Sequence, residues 1–366
     1  MTSKAFGLAQ LGNAYADGAL SNRNKIINGA MTIDQRNAGA SVTPTSNAQY
    51  VLDRWFPALN QASKYSVQRT AASAPIGFSH ATLITSLSAY SPLAADFLYY
   101  GHKIEGHNVA DLNWGTAGAS TITVSFWVRS SLTGIFSVRL VNGGFDRSYV
   151  TTYTINSADT WEQKTITVPG DTTGTWNTTN GSGIELSFDL GSGSNWTTSS
   201  ANSWQAASNI KLTGSVSLIG TNGATWYVTG VQLEAGDTAT PFEHRSFGQE
   251  LALCQRYFEK SYNTDVVPGT ATFTGVFTNG GVTNLAAANY ATRASTAYKV
   301  TKRATPTVTT FDTAGNSGKC NYPDSTTNQP YTVIHNGFST FSAETSTLSN
   351  GTDTRCYWHF TSSAEL

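Results

Sequence analysis

The stretch "STITVSFWVRSSLTGIFSVRLVNG" (residues 120–143) decides the fold class of this chain. Apolar residues alternate with other residues through its first half, so their side chains fall on one face of a strand. These residues are Ile122, Val124, Phe126 and Val128. The second half, "GIFSVRLVNG" (134–143), alternates in the same way after the turn-like "SSLTG". The stretch therefore predicts two strands joined as a hairpin.

Strand-like runs continue through residues 25–245 without an intervening helical period. Turns rich in Gly, Asn, Asp and Pro separate them. Regular short strands of this kind are typical of a β-sandwich or jelly roll. The further runs are "WEQKTITVPG" (161–170), "GIELSFDLGSG" (183–193), "NIKLTGSVSLIG" (209–220) and "TWYVTGVQLE" (225–234).

The stretch "GVQLEAGDTATPFEHR" (230–245) predicts the last strand of this domain and its exit. Val231 and Leu233 are expected to face the core, and Gln232 and Glu234 to face the other way. Pro241 and Phe242 are expected to anchor the exit of the chain from the strand. The acidic residues of this stretch therefore indicate a strand boundary and not a catalytic centre.

Three further segments flank this domain, and together they give a mainly β fold class. Residues 1–24 form an N-terminal arm that is either disordered alone or docked on a partner, and we expect docking. Residues 246–262 predict one linking helix, and residues 263–366 predict a small C-terminal β-sandwich. The predicted order is thus arm, jelly-roll sandwich (25–245), helix and second β domain.

The linking helix is predicted from a helical spacing of four apolar residues, after a possible capping box at Ser246 and Gln249. Such a helix could pack on its own sandwich, act as a spacer, or form the seam of a trimer. The sequence leaves these alternatives open. The apolar residues are Phe247, Leu251, Cys254 and Phe258.

Composition excludes several classes of function. Charged residues make up 12% of the chain and the formal net charge is −1, so we expect no nucleic-acid binding. No run of about 18 apolar residues occurs, so we expect no membrane insertion. Cys320 and Cys356 could form a disulfide or remain two buried thiols, and both readings stay open.

The sequence predicts no catalytic residues and no cofactor. Histidines stand in no metal-binding frame, and the signatures of nucleophilic hydrolases and nucleotide-binding loops do not occur. Glu185 and Asp189 share one strand face at about 13 Å by strand rise, which exceeds the carboxylate separation that either glycosidase mechanism uses.

Aromatic residues among Asn, Ser and Thr give the candidate binding site. A ring in such surroundings can stack on the apolar face of a sugar while amides bind its hydroxyls. The alternative is that each ring covers the core or lies in a subunit interface. The candidates are Trp176, Trp196, Trp204 and Tyr99, where Tyr99 and Tyr100 must face opposite sides of one strand.

Four motifs carry a resemblance to the jelly-roll domain of tail-fibre and related appendage proteins of tailed bacteriophages. They are "NKIINGAMTIDQR" (24–36), "VLDRWF" (51–56), "VSFWVRSS" (124–131) and "WYVTGVQLEAGDTATPFEHRSFGQELALCQRYF" (226–258). The same layout resembles carbohydrate-binding modules of bacterial glycosidases. The segments at 302–319 and 357–366 are similar to the closing domain of the phage proteins.

The resemblance also bears on whether the chain binds a metal ion. Glycosidase modules of this layout typically hold a structural calcium with acidic residues of the first and last strands. Only Asp34 and Glu234 stand at matching places here, and Ca²⁺ needs about six to eight oxygen ligands. We therefore expect no metal, with Asp34 and Glu234 as weak calcium candidates.

The resemblance implies a non-enzymatic virion protein, first of all a trimeric tail fibre made in the host cytoplasm. Residues 1–24 would attach it to a tail adaptor or nozzle, and the β domains would bind host surface glycans. A head fibre or capsid decoration protein of the same architecture is one alternative. A secreted carbohydrate-binding module is another.

Overall fold

The computed structural model describes residues 22–72, 74–278, 293–322, 328–345 and 355–366. The chain divides into two compact units. The first contains residues up to 32, residues 39–246 and Leu366, and the second contains residues 33–38 and 247–365. Most of the predicted N-terminal arm, residues 1–21, lies outside the described residues.

The first unit is built from strands β1 to β13. Short polar turns and four 3-10 turns connect them. The strands are β1 Trp55–Leu59, β2 Tyr65–Thr70, β3 Ala81–Ser86, β4 Leu98–Glu105, β5 Ile122–Ser130, β6 Gly134–Asn142, β7 Ser148–Ile155, β8 Glu162–Val168, β9 Ser182–Asp189, β10 Thr197–Thr198, β11 Trp204–Gln205, β12 Lys211–Leu212 and β13 Thr225–Ala235.

These strands form two main sheets around one core, as the fold class predicted. The six-stranded sheet has the order β1-β4-β9-β6-β7-β11, and the five-stranded sheet has the order β2-β3-β13-β5-β8. Strands β10 and β12 form a separate parallel pair. Because the apolar face of each main sheet contributes to one continuous buried cluster, the unit is a β-sandwich.

The opening stretch forms its two strands, but the predicted hairpin is wrong. Val124, Phe126 and Val128 are buried in the core as expected. Strand β5 nevertheless pairs with β13 and β8, whereas β6 pairs with β7 and β9. The same alternation of apolar residues arises whether two strands are neighbours in one sheet or face each other across the core. Here the two strands face each other, and residues 131–133 connect the two layers.

The closing strand β13 follows the predicted pattern. Val231 and Leu233 are fully buried in the core cluster. A bulge interrupts the pairing of β13 with β5 between Thr229 and Gln232. Gly230 has φ +61° there, and a Cβ on it would lie 2.5 Å from the ring of Phe78. The bulge therefore depends on a residue without a side chain.

The ends of the sandwich are tied together by a polar cluster that we call the clasp, formed by Asn24, Glu243 and Arg245. The backbone N–H of Asn24 donates to Glu243 Oε2 at 2.8 Å, and its side-chain amide donates to the carbonyl of Val231 at 3.2 Å. Arg245 Nη1 donates to the carbonyl of Ile26 at 3.0 Å. The first and last segments of the sandwich thus lie side by side.

The strand predicted over 209–220 is wrong for most of its length. Only Lys211–Leu212 pairs as a strand, and Leu218–Gly220 forms a 3-10 turn. Leu218 and Ile219 are buried in the core, so their hydrophobicity reflects a turn that covers the sandwich edge.

The second unit contains strands β14 to β21. Strand β21 pairs with β14, β15 and β17, and β16-β20-β19-β18 form a second sheet. Cys320 and Cys356 are buried in its core as thiols and are not joined in a disulfide. The strands are β14 Phe258–Lys260, β15 Phe277–Thr278, β16 Arg293–Ala297, β17 Thr307–Phe311, β18 Lys319–Cys320, β19 Gln329–Asn336, β20 Thr340–Thr345 and β21 Tyr357–Ser363.

Residues 33–38 belong to the second unit, although they fall within the range 25–245 that the sequence predicted as one domain. Gln35 Nε2 donates to the carbonyl of Phe258 at 3.0 Å. The Arg36 guanidinium lies 3.8 Å from the centre of the Phe258 ring and pairs with Glu365 at 2.7 Å. These contacts hold residues 33–38 against later segments of the chain. A domain defined as one continuous range of residues cannot include both.

Helix α1, Phe247–Gln255, begins as predicted but ends early. The prediction that it continues to residue 262 is wrong, because Phe258–Lys260 pairs with Thr361–Ser363 as strand β14. Cys254 is buried, whereas Phe247 is 55% exposed, so the four predicted residues do not share one buried helical face. No helix within the described part of the chain is long and apolar enough to span a membrane.

Candidate functional site

Two of the four predicted aromatic residues, Tyr99 and Trp196, line one cavity of about 370 Å³ in the first unit. We call this cavity the aromatic groove. Four aromatic side chains and one arginine dominate its wall. Its lining residues are Asn47, Phe97, Tyr99, Arg139, Phe145, Trp196, Ser208 and Ile210.

The pleat of the six-stranded sheet positions the floor of the groove. Leu98 and Tyr100 of β4 are buried in the core, so Tyr99 between them faces the opposite side, as the sequence predicted. Arg139 of β6 lies between the core residues Val138 and Leu140 and faces that side for the same reason. The groove therefore lies on the outer face of the sheet.

A buried ion pair fixes Arg139 in the floor. Its Nη2 lies 2.9 Å from Glu185 Oε1, and both side chains are 1% exposed. Its Nε donates to the hydroxyl of Ser187 at 2.8 Å, and its guanidinium lies 4.5 Å from the centre of the Tyr99 ring. Because Glu185 neutralises this charge and all three guanidinium nitrogens donate within the protein, Arg139 supports the groove from below and is not a free cation.

The electrostatics of the floor keep the Tyr99 hydroxyl protonated. Burial raises the pKa of Tyr99, and the nearby Glu185 carboxylate raises it further, outweighing Arg139. Asp189 lies on the same face of β9 as Glu185, and its Oδ2 has no hydrogen-bond partner among the described residues. Burial raises the pKa of Asp189 more than the nearby Lys211 lowers it.

Trp196 forms part of the wall above this floor. It ends the 3-10 turn Ser194–Trp196, and its indole N–H donates to the carbonyl of Ala95 at 3.0 Å. Its ring contacts that of Phe97 edge-on, with 5.8 Å between ring centres. Because the polar edge of the indole is satisfied by the protein, the accessible part of this half-buried ring is apolar.

The other two predicted residues, Trp176 and Trp204, lie in a different place. They pack with Trp114 in what we call the tryptophan cluster, in which all three pairs meet edge-on with ring centres 4.7–5.3 Å apart. The indole N–H of Trp204 donates to the carbonyl of Pro169 at 2.8 Å. The cluster packs against the sandwich core, so its rings contribute to burial.

An ion pair also lies beside the tryptophan cluster. Arg147 donates to both carboxylate oxygens of Asp171, at 2.9 and 2.6 Å, and the Trp176 indole N–H lies 3.2 Å from Asp171 Oδ2. Burial favours a higher pKa for Asp171, but the hydrogen bonds from Arg147 and Thr173 outweigh it and lower the pKa.

Six of the eight groove residues were not predicted from the sequence, among them Phe97, Arg139 and Phe145. Phe97 stands two positions before the predicted Tyr99, so strand alternation could have placed it on the same side. Phe145 stands in the turn "NGGFDR" (142–147), where an aromatic residue among turn formers is itself a signal. Nothing in the sequence pairs Arg139 with Glu185.

The weak calcium candidates do not fit a metal site. Glu234 Oε1 accepts hydrogen bonds from Gln232 Nε2 and the Thr240 N–H, each at 2.9 Å, and its Oε2 accepts one from the Thr240 hydroxyl at 2.6 Å. Donors therefore occupy the carboxylate that a cation would need. Asp34 Oδ1 accepts the backbone N–H of Asn37 at 2.9 Å, and the described residues contain no cluster of three or more His, Cys, Asp or Glu side chains able to hold a metal.

Comparison with known proteins gives no family assignment. No family model matches the chain, and no curated protein matches it. Among solved structures, the enzymatically active domain of tailspike protein 4 from bacteriophage CBA120 is 10% identical over 58% of this chain, with a TM-score of 0.32. The chain spans only 22% of the length of that domain.

Two sugar-binding structures are similar at the same level. A putative sugar-binding protein from Bacteroides thetaiotaomicron is 12% identical, over 58% of this chain and 100% of its own length, with a TM-score of 0.34. The Clostridium thermocellum xylanase 10B modules complexed with xylohexaose are 13% identical, over 56% of this chain and 30% of their own length, with a TM-score of 0.27. Scores this low transfer neither an activity nor a ligand.

Proposed function

We propose that this protein is a non-enzymatic phage virion protein that binds bacterial surface glycans through the aromatic groove. The observation that carries glycan binding is the groove itself, where the rings of Tyr99 and Trp196 lie with the polar side chains of Asn47 and Ser208 in one cavity wall. A pyranose ring has apolar faces and hydroxyl edges, so it matches a wall of rings beside polar side chains. The volume of about 370 Å³ falls within the range of about 300–1,000 Å³ for small-molecule sites.

The assignment to a phage virion rests on the sequence motifs at 24–36, 51–56, 124–131 and 226–258. In this proposal the protein is a homotrimeric tail fibre, and residues 1–24 attach it to the tail. Trimerisation suits a shallow site, because linked weak sites gain about 10²–10⁴ in overall affinity. A measured mass of one chain in solution contradicts the trimer.

The proposal includes no catalysis. Glu185 is 1% exposed and its Oε1 is held by Arg139, so this carboxylate is poorly placed to transfer a proton to a bound sugar. Binding without turnover leaves an oligosaccharide intact, which size analysis after long incubation measures directly.

The decisive experiment compares two tryptophans of similar half-burial. We expect the full-length protein to bind a subset of a bacterial glycan array, and Trp196→Ala to weaken that binding by at least about tenfold. Trp161→Ala is the matched control, since Trp161 contacts Tyr227 on the five-stranded sheet, away from the groove. Absence of wild-type binding, or equal loss in both variants, contradicts the proposed site.

The location on the virion is tested separately. Labelled protein is expected at the tail in electron micrographs of the phage, and deletion of residues 1–24 is expected to remove it. Label on the capsid instead favours the head-fibre alternative.

A further inference from the structure

The turn between β6 and β7 separates the aromatic groove from a second cavity of about 420 Å³. We call this second space the polar cavity. Phe145 of the turn lines the groove, whereas its neighbours Gly144 and Asp146 line the polar cavity. The remaining lining residues of the polar cavity are Asn142, Gly143, Thr175, Asn177 and Ser182.

Phe145 stands at the boundary in an unfavourable backbone conformation. Its φ is +57°, in the left-handed region that costs a residue with a Cβ roughly 1–2 kcal/mol. Its side chain is 40% exposed. The ring therefore gains little burial in return for the strain.

The Asn142 side chain holds the turn in this conformation. Its Oδ1 accepts the backbone N–H groups of Asp146 and Arg147, each at 3.1 Å. Its Nδ2 donates to Asp146 Oδ1 at 2.6 Å and to the carbonyl of Thr175 at 3.0 Å. A buried residue thus fixes the direction of an exposed ring.

Strained residues held by their surroundings concentrate at binding sites, because the fold sustains a conformation that the residue alone would leave. The ring of Phe145 lies 5.9 Å from the Arg139 guanidinium, above the groove floor. It therefore stands between the groove and the polar cavity, where a ligand that occupies both would contact it.

The polar cavity differs chemically from the groove. It offers the exposed Asp146 carboxylate as an acceptor, with the Asn177 amide and the Ser182 hydroxyl beside it. Such groups match sugar hydroxyls. The carboxylate repels an anionic sugar, so the cavity suits a neutral one.

We infer that the glycan site continues past Phe145 into the polar cavity and takes a linear, neutral oligosaccharide. One sugar unit lies in the aromatic groove, the next stacks on Phe145, and the following unit places its hydroxyls against Asp146 and Asn177. This inference rests on the proposed glycan binding and extends it from a single sugar to a chain.

The test uses arrayed neutral oligosaccharides in homologous series from the disaccharide upward, followed by titration of the soluble members that bind. The variants are Phe145→Gly and Phe145→Asn, because both residues tolerate positive φ and neither carries a ring. Wild-type affinity is expected to rise about tenfold from the shortest to the longest binding member. Both variants are expected to lose that rise and, because Phe145 also lines the groove, to lower the affinity for the shortest member by a smaller factor.

The melting temperature separates a binding role from a structural one. A ring needed for folding lowers it when removed, whereas relief of the strained backbone in Phe145→Gly leaves it unchanged or higher. If the wild type binds but both variants keep the full length dependence, the extension is wrong and the groove proposal stands. If the wild type binds no member of any glycan series, the proposed function itself fails.

Discussion

Trp196 and Trp204 lie in one stretch, "GSGSNWTTSSANSWQAAS" (191–208), and have the same kind of polar neighbours, yet the structure gives them different surroundings. Trp204 begins the short strand β11, which pairs with β7 opposite Tyr149, and its ring meets Trp114 and Trp176. Trp196 ends a 3-10 turn and lines a cavity.

The difference shows that the composition of the neighbouring sequence predicts the surroundings of an aromatic ring poorly. The residues that lie opposite or beside the ring in the sheet predict them better. Tyr149 belongs to the core, so a ring opposite it joins the core edge. Phe97 and Tyr99 lie on the outer side of the sheet, so a ring beside them lines a groove. Three pairs of substitutions test this contrast, and they follow in order of expected effect.

The largest effect is expected from the ion pair under the groove. Glu185→Ala leaves the Arg139 guanidinium buried without its counter-charge, which costs about 3–5 kcal/mol of unfolding free energy. Asp171→Ala beside the tryptophan cluster is the matched control. Its partner Arg147 is 17% exposed and keeps access to water, so a smaller loss is expected.

Urea unfolding followed by tryptophan fluorescence measures both losses. Of the nine tryptophans, all except Trp358 belong to the first unit, so the signal reports mainly on the sandwich. Equal losses in Glu185→Ala and Asp171→Ala contradict the distinction between a fully buried and a partly solvated pair.

The next effect separates the two tryptophans themselves. Trp204→Ala removes a ring that contacts three others and is expected to cost about 3 kcal/mol, with glycan affinity changed less than about twofold. Trp196→Ala is expected to cost about 1 kcal/mol while glycan affinity falls. Equal stability losses, or an affinity loss in Trp204→Ala, remove the contrast.

The smallest effect concerns two aspartates with opposite pKa shifts. The folded state lowers the pKa of Asp171, so its contribution to stability is present above the unfolded value of about 3.9 and is lost as pH falls through the folded value. The folded state raises the pKa of Asp189, so its ionisation costs stability at neutral pH and the cost disappears as pH falls.

Asp171→Asn is therefore expected to lower the unfolding free energy at pH 7 by about 1–2 kcal/mol, and Asp189→Asn to raise it by about 1 kcal/mol. Both differences should shrink toward pH 3. Urea titrations at several pH values measure this, and shifts of the same sign at pH 7 contradict the assignment.

Much of the architecture was predictable because strand alternation is a local property. The mainly β class, the buried Val231 and Leu233, and the opposite facing of Tyr99 and Tyr100 all follow from a period of two. The separation of β5 from β6 was not predictable in this way, since alternation specifies a face and leaves the pairing partner open.

The early end of helix α1 has a related cause. Phe258 continues the helical spacing, but its segment pairs with β21 from the far end of the chain. Long-range pairing therefore overrides local periodicity. The groove was half predictable for the same reason: Tyr99 and Trp196 carry a compositional signal, whereas the Arg139–Glu185 pair arises only when β6 and β9 become neighbours.

The clasp of Asn24, Glu243 and Arg245 has a mechanical consequence. A pulling force applied to the two ends of the sandwich enters beside Asn24 and leaves beside Arg245, and these residues are joined directly by hydrogen bonds. The load therefore crosses the clasp before it reaches any strand of the sandwich. Tension along the chain is therefore expected to break the hydrogen bonds of the clasp before it separates the strands of the sheet that carries the groove.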